Sequence, residues 1–304
     1  MSLTLKSRYR GCMLGLACGD AVGTSVEFRS RGSFKPITDM VGGGPFRLAP
    51  GQWTDDTSMA LCLAESLLTK GGFDAADQMG RYLNWWHWGY LSSTGECFDI
   101  GMTVRQALTD YQESGNPFAG SSDPQSAGNG SLMRLAPVAL FYYPDTAHIQ
   151  SFCADSSRTT HAALEAIECC VLLGAMLKRL LDGEPKSALI RMDGVPLSQA
   201  KVIDLSQGKY LEKNRAEIVG SGYCVASLEA ALWCFQHTDS FEGAVLEATN
   251  LGDDADTTAA ITGQLAGAYY GSEDIPSHWL GRLHMHAEIQ ATADALWRQA
   301  ASEV

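Results

Sequence analysis

Gly11, Gly15 and Gly19 recur at every fourth residue of "LKSRYRGCMLGLACGDAVG", residues 5–23. At 3.6 residues per turn they share one face of a helix. Each glycine costs about 1 kcal/mol of helix propensity against alanine, so three in register need a compensating contact. What they offer is a stripe without Cβ atoms, against which a second backbone can press. Such a chain is committed to helix-on-helix packing. Apolar residues at helical intervals predict further helices at about 56–69, 74–88, 99–113, 131–142, 145–155, 160–182, 222–236, 240–250, 256–270 and 279–301. Strand-like alternation is nearly absent, and "KVIDL", residues 201–205, is the one plausible short strand. Trp85, Trp86 and Trp88 fit a buried helix face and read as core. Glycine and proline cluster at 42–51 and 115–130, as loops laid over a helical scaffold. The expectation is one compact all-α domain over residues 1–304, without linker or fixed-period repeat.

The bulk numbers exclude several classes. Hydrophobic residues make up 45% of the chain and charged residues 19%, a globular composition. A net charge of −13, with no basic run, argues against nucleic acid as a partner. Nine cysteines without a C-x-x-C argue against a disulfide framework or a structural zinc site, and most read as small core residues. Neither a signal peptide nor an apolar run of about 20 residues is visible, so the expected setting is the reducing cytoplasm, away from membranes.

Two acidic clusters are left over. In "GQWTDDTSMAL", Asp55 and Asp56 stand side by side between threonines; in "NLGDDADTTAAITGQLAGAYYG", Asp254 and Asp256 precede Thr257. Taken alone, each is explained by capping of a helix N-terminus. The alternative is a cation. Asp254 and Asp256 would point about 200° apart on a regular helix, so they converge only if the chain is still turning before the helix begins. Two such turns face to face would gather four carboxylates with the hydroxyls of Thr54 and Thr257, and Glu27 in "GDAVGTSVEF" would bring a fifth. Five adjacent carboxylates cannot all stay ionised unaided. Two divalent cations would offset four charges, and an all-oxygen donor set favours Mg²⁺ or Mn²⁺ over zinc.

Other segments could serve a ligand. "SAGNGSLMRLAPVAL" reads as a glycine-rich loop leading into a helix, where the amides of Gly128, Asn129, Gly130 and Ser131 would suit a phosphate, or simply form a capped turn. "SRTTHAAL" puts His161, and "ECFDIGMTVRQAL" puts Asp99, at the start of a helix. Asp99 is then an N-cap or a general acid–base. Tyr223 in "GSGYCVASLEAALWCF" is core or a stacking platform for a flat ring.

In this order, "GCMLGLACGDAVGTSVEF", "GQWTDDTSMALCLAESL", "CFDIG", "GNGSLMR", "RTTH", "SGYCVASLEAALW" and "LGDDADTTAAITGQLAGAYYG" resemble the ADP-ribosylglycohydrolase family. The bacterial branch typified by dinitrogenase reductase-activating glycohydrolase is the nearest. The resemblance runs from residue 11 to 271 and implies an all-α orthogonal helical bundle with a binuclear Mg²⁺/Mn²⁺ site in a cleft. It implies metal ligation by Thr54, Asp55, Asp56, Asp254, Asp256 and Thr257, and a ligand or near-ligand role for Glu27. It gives acid–base chemistry to Asp99, with Asp55 or Glu27 able to share it. It implies ADP-ribose contacts for Asn129, Gly130, Ser131, His161 and Tyr223. The expected reaction removes ADP-ribose from a modified protein side chain, arginine first. Three alternatives stand beside it: hydrolysis of a serine-linked or O-acetyl adduct, a silent ADP-ribose-binding protein on the same scaffold, and a binuclear phosphohydrolase.

Overall fold

The computed structural model describes residues 3–302. Thirteen α-helices follow one another among them: α1 (Leu5–Gly23), α2 (Asp55–Lys70), α3 (Ala75–Trp88), α4 (Met102–Ser114), α5 (Ala136–Tyr142), α6 (Thr146–Arg158), α7 (Leu164–Leu181), α8 (Ala200–Ser206), α9 (Cys224–Gln236), α10 (Phe241–Thr249), α11 (Ala255–Tyr270), α12 (Ser277–Arg282) and α13 (His286–Ser302). No strand forms among the described residues; β-type pairing is confined to isolated bridges such as Arg29 with Asp253 and Gly128 with Tyr223.

The glycine stripe of α1 meets α11. A Cβ added at Gly11, Gly15, Gly19 or Gly23 would stand closer than 3.0 Å to the carbonyl oxygen of Gly267, Gly263, Ala259 or Ala255 respectively. The pairing is reciprocal, since Gly263 and Gly267 face the carbonyls of Gly15 and Gly11 just as closely. The matched order makes the two helices antiparallel. Arg8, near the start of α1, accordingly donates to the carbonyls of Ala268 and Tyr269 at the far end of α11, at 2.8 and 2.9 Å. At the other end, the C-terminus of α1 is locked beside the N-terminus of α11.

The remaining helices wrap this pair. α7, α9 and α10 pack on α11, α10 and α13 on α1, and α2 on α3, α5 and α13. A second, smaller core joins Met59, Met79, Tyr82, Trp85, Val104 and Leu108 beneath α3 and α4. Helix ends carry ordinary signals. Asp74 and Asp145 cap α3 and α6 through their side chains, and Gly71, Gly89 and Gly115 close α2, α3 and α4 in the left-handed region.

Several expectations are corrected. "KVIDL" lies in helix α8, whose Val202 and Leu205 are buried; apolar residues three apart suit a helical turn as well as a strand. Residues 131–134 form turns, and α5 begins only at Ala136, ahead of Pro137. The stretch 279–301 is broken between Arg282 and His286. Trp85 is buried and Trp86 partly so, but Trp88 is 79% exposed, because the helix turns it away just before Gly89. The cysteines are all free, and eight of the nine are buried. No described helix is long and apolar enough to cross a membrane.

Candidate functional site

Asp20 is fully buried on α1, one residue beyond the stripe glycine Gly19. Its Oδ1 accepts from the amide and hydroxyl of Thr54 at 2.8 and 2.9 Å, and its Oδ2 from those of Thr57 at 3.0 and 2.6 Å. Asp20 thus supplies, from another helix, the cap that α2 lacks: its own N-cap residue Thr54 makes no side-chain capping bond. At α11 the N-cap residue Asp254 makes none either, and its Oδ2 accepts from Asn129 Nδ2 at 2.8 Å. Capping therefore does not account for the two acidic clusters.

They face each other instead. Thr54 Oγ1 lies 3.3 Å from both Asp56 Oδ2 and Asp256 Oδ2, and Thr257 Oγ1 lies 3.5 Å from Asp56 Oδ2. Carboxylate oxygens of Glu27, Asp99 and Asp256 come within 4.8 Å of one another. Asp56 Oδ1 and Asp256 Oδ1 are buried and have no hydrogen-bond partner among the described residues. Leaving a buried charged oxygen unsatisfied is costly, so this pair has the character of an uncompleted ligand set. Burial alone, against the opposing hydrogen bonds from Thr54 and Thr57, raises Asp20 to about 6; burial first, then neighbouring acids, raises Asp99 to about 7, Glu27 to about 9, and Asp55, Asp56 and Asp256 well above the ordinary range. Hard oxygen donors in this number suit a divalent cation, which would favour the ionised forms.

The cluster forms the floor of a cavity of about 800 Å³. Glu27, Asp55, Asp99, Asn129, Gly130, His161, Asp254, Asp256 and Thr257 all line it. Thr54 and Asp56 lie just behind, fully buried. Asp99 is not at a helix start: it sits in the loop before α4 at φ +60°, and Gly101 is the N-cap. His161 likewise precedes α7 by three residues. Ser131 turns inward, within 2.9 Å of Ser157 Oγ and 3.3 Å of Cys170 Sγ, so its side chain does not reach the cavity. Tyr223 is not among the cavity-lining residues. The Lys201 ammonium lies over its ring and donates to its hydroxyl, which donates in turn to Glu165, beside a neighbouring cavity of about 380 Å³. The strand-like pairing of 127–129 with 222–224 divides the two, through Asn129 N to Gly222 O and Cys224 N to Ala127 O, both 3.0 Å.

His161 is placed by a hydrogen-bond chain. Arg134, fully buried in the "GNGSLMR" segment, donates to Thr160 Oγ1 at 2.7 Å, and Thr160 Oγ1 lies 2.9 Å from His161 Nδ1. Arginine can only donate, which leaves the threonine proton for Nδ1. The ring then carries its proton on Nε2, beneath Gly128 and Gly130; Cβ atoms on either would stand 3.2 Å from that nitrogen. Burial and the Arg134 charge hold the imidazole neutral, down to about 3. Asp20, Thr57, Arg134 and Thr160 escaped the sequence reading. The signal for Asp20 was a lone acid inside a run of small and apolar helix residues.

Fold and site together define an all-helical enzyme whose acid-lined cavity can hold a metal ion. The ADP-ribosylglycohydrolase family profile matches residues 1–303. ADP-ribosylarginine hydrolase Tri1 of Serratia proteamaculans (strain 568) is 44% identical over 97% of this chain and 80% of its own length. ADP-ribosyl-[dinitrogen reductase] glycohydrolase of Rhodospirillum rubrum is 35% identical, over 96% of each. A solved structure described as an ADP-ribosylglycohydrolase-related protein complex superposes with a TM-score of 0.86 at 44% identity, covering 97% of this chain and 99% of its own. The chain belongs to the ADP-ribosylglycohydrolase family, and is a glycohydrolase.

Proposed function

We propose that the enzyme hydrolyses the N-glycosidic bond between ADP-ribose and an arginine side chain of a modified protein, using two divalent cations, Mg²⁺ or Mn²⁺. The observation that carries this reading is the meeting of Glu27, Asp99 and Asp256 within 4.8 Å at the floor of the large cavity. The name of the relative at 44% identity, an ADP-ribosylarginine hydrolase, supports arginine as the attachment point, and that of the relative at 35% supports a modified protein as the substrate.

Thr54, Asp55, Asp56, Asp254, Asp256 and Thr257 would hold the cations. Bound there, the cations supply Lewis-acid chemistry and a template for the ribose hydroxyls and a water. The chain's own groups do the rest. Asp20 fixes the first turn of α2, and Asn129 fixes Asp254. Asp99, or Glu27 or Asp55 beside it, takes a proton from the attacking water as its oxygen bonds to the anomeric carbon. The carbon–nitrogen bond breaks with its electron pair going to the guanidine nitrogen, to which the same carboxyl passes the proton taken from the water, so that the arginine leaves as a guanidinium and the carboxylate is restored. The remaining carboxylates stabilise the positive charge that develops on the sugar, as in other glycoside hydrolyses. Gly130 and the backbone of Ser131, with the Nε2–H of His161, contact the ADP-ribose, and Tyr223 meets its far end beyond the 127–129 segment.

The test is release of ADP-ribose from ADP-ribosyl-arginine by the purified protein, with Mg²⁺ or Mn²⁺ and after chelation. Release that stops on chelation and resumes with either ion is expected. Release from a serine-linked or O-acetyl adduct alone would overturn the arginine assignment, and tight ADP-ribose binding without any release would overturn catalysis.

A further inference from the structure

The lip of the cavity is aromatic. Phe28, Phe46 and Phe98 line it together with Met102. Ring centroids are 6.5 Å apart for Phe28 and Phe46, at 74°, and 5.1 Å apart for Phe46 and Phe98, at 54°. The three rings form one arc, although they come from three segments distant in sequence. Phe28 follows Glu27 and Phe98 precedes Asp99, so each end of the arc adjoins an acid of the floor.

This surface is expensive to maintain. Phe28 is 69% exposed and Met102 90% exposed. Phe28 also holds φ +61°, rare for a bulky residue, and is pinned there by its amide on Asp253 O at 2.7 Å. Strain and exposure combined at a cavity mouth point to a contact made in function.

We propose that the arc is the subsite for the leaving side chain, with the guanidinium of the modified arginine stacked on Phe28 and its neighbours. The inference rests on the arginine reading above. A flat, weakly hydrated cation is the group that aromatic faces and adjacent carboxylates select together. Among the lining residues Arg105 and the neutral His161 are the basic side chains, against five carboxylates. A hydroxyl leaving group carries no cation and gains nothing from the rings, so the arc sets linkage preference.

Phe28→Ala and Phe46→Ala test it, with Phe28→Trp as the conservative partner. The readouts are kcat/KM on free ADP-ribosyl-arginine and Kd for ADP-ribose. Both alanine variants should lose about 5- to 30-fold in kcat/KM, the range of a partly desolvated cation–π contact. They should keep the wild-type Kd for ADP-ribose, and Phe28→Trp should retain the rate. An equal loss of ADP-ribose affinity would overturn the subsite, as would a loss seen only on an ADP-ribosylated protein and not on the free adduct. Wild-type activity on the arginine adduct with Phe28→Ala and Phe46→Ala unchanged overturns the subsite alone. A wild type that releases nothing from that adduct overturns the arginine reading and the subsite with it.

Discussion

The same substitution, glycine to alanine, should have opposite effects at different helical positions. At Gly80, inside α3, an added Cβ meets nothing within 4 Å. Gly80→Ala should therefore stabilise by about 0.5–1 kcal/mol through helix propensity alone. At Gly15 the Cβ would stand closer than 3.0 Å to Gly263 O and 3.0 Å from a Phe241 ring carbon. Ordinary carbon contacts lie near ~3.5 Å, so α1 and α11 must part by about 1 Å. Overpacking of this kind costs about 1–3 kcal/mol, which outweighs the propensity gain. Position along the stripe then separates stability from activity. Gly11 lies at the end remote from the acids, whereas a Cβ on Gly23 would press on Ala255 and on Asp256 Cα. Gly11→Ala and Gly23→Ala should lose similar stability in urea denaturation. Only Gly23→Ala should lose turnover steeply, on the order of 10²-fold, because a displacement of about 1 Å at a reacting site is worth that much. Neutral or stabilising effects at Gly15, or equal turnover losses at both ends, would refute the view that the stripe positions the site.

Asp20→Asn turns an amide nitrogen toward donors now satisfied by carboxylate oxygen. With one buried donor pair in conflict and the charge-assisted bonds weakened, it should cost about 2–4 kcal/mol in urea melts at saturating Mg²⁺; an unchanged midpoint would contradict the capping role. His161 should show the Nε2–H tautomer in nitrogen NMR and stay neutral at pH 5. Because its folded value is depressed, the stability it contributes is complete above the unfolded value near ~6.5 and is lost as pH falls toward 3. A ring titrating near 6.5 would break the Arg134–Thr160–His161 chain. Cys97 is the one cysteine not fully buried, so a thiol reagent should label it alone in the native protein, slowly, since burial raises its thiol to about 11; fast labelling of several cysteines would contradict the packing.

The helical class was legible because apolar spacing and the glycine stripe are local patterns. The partner of that stripe was not, since nothing in "GCMLGLACGDAVG" names Gly263 or Gly267. The acids of the two clusters were legible as a set, because adjacent carboxylates demand an explanation. Asp20 was not: its place among small and apolar helix residues hints at burial, but nothing local names the two threonines of another helix that it faces. Asp99 was placed at a helix start, although its loop holds a left-handed φ that spacing cannot reveal. Tyr223 and Ser131 show the same limit. A motif gives proximity along the chain, while the direction of each side chain depends on what packs behind it.

The central claim is that distant carboxylates share one pocket because divalent cations complete it. Anomalous diffraction from a crystal equilibrated with Mn²⁺ reads this directly. The account predicts two manganese peaks at about 2.1 Å from oxygens of the 54–56 and 254–257 turns, with the free oxygens of Asp56 and Asp256 turned to them. No anomalous peak between those turns, with the carboxyls hydrogen-bonded to one another in pairs, would contradict it.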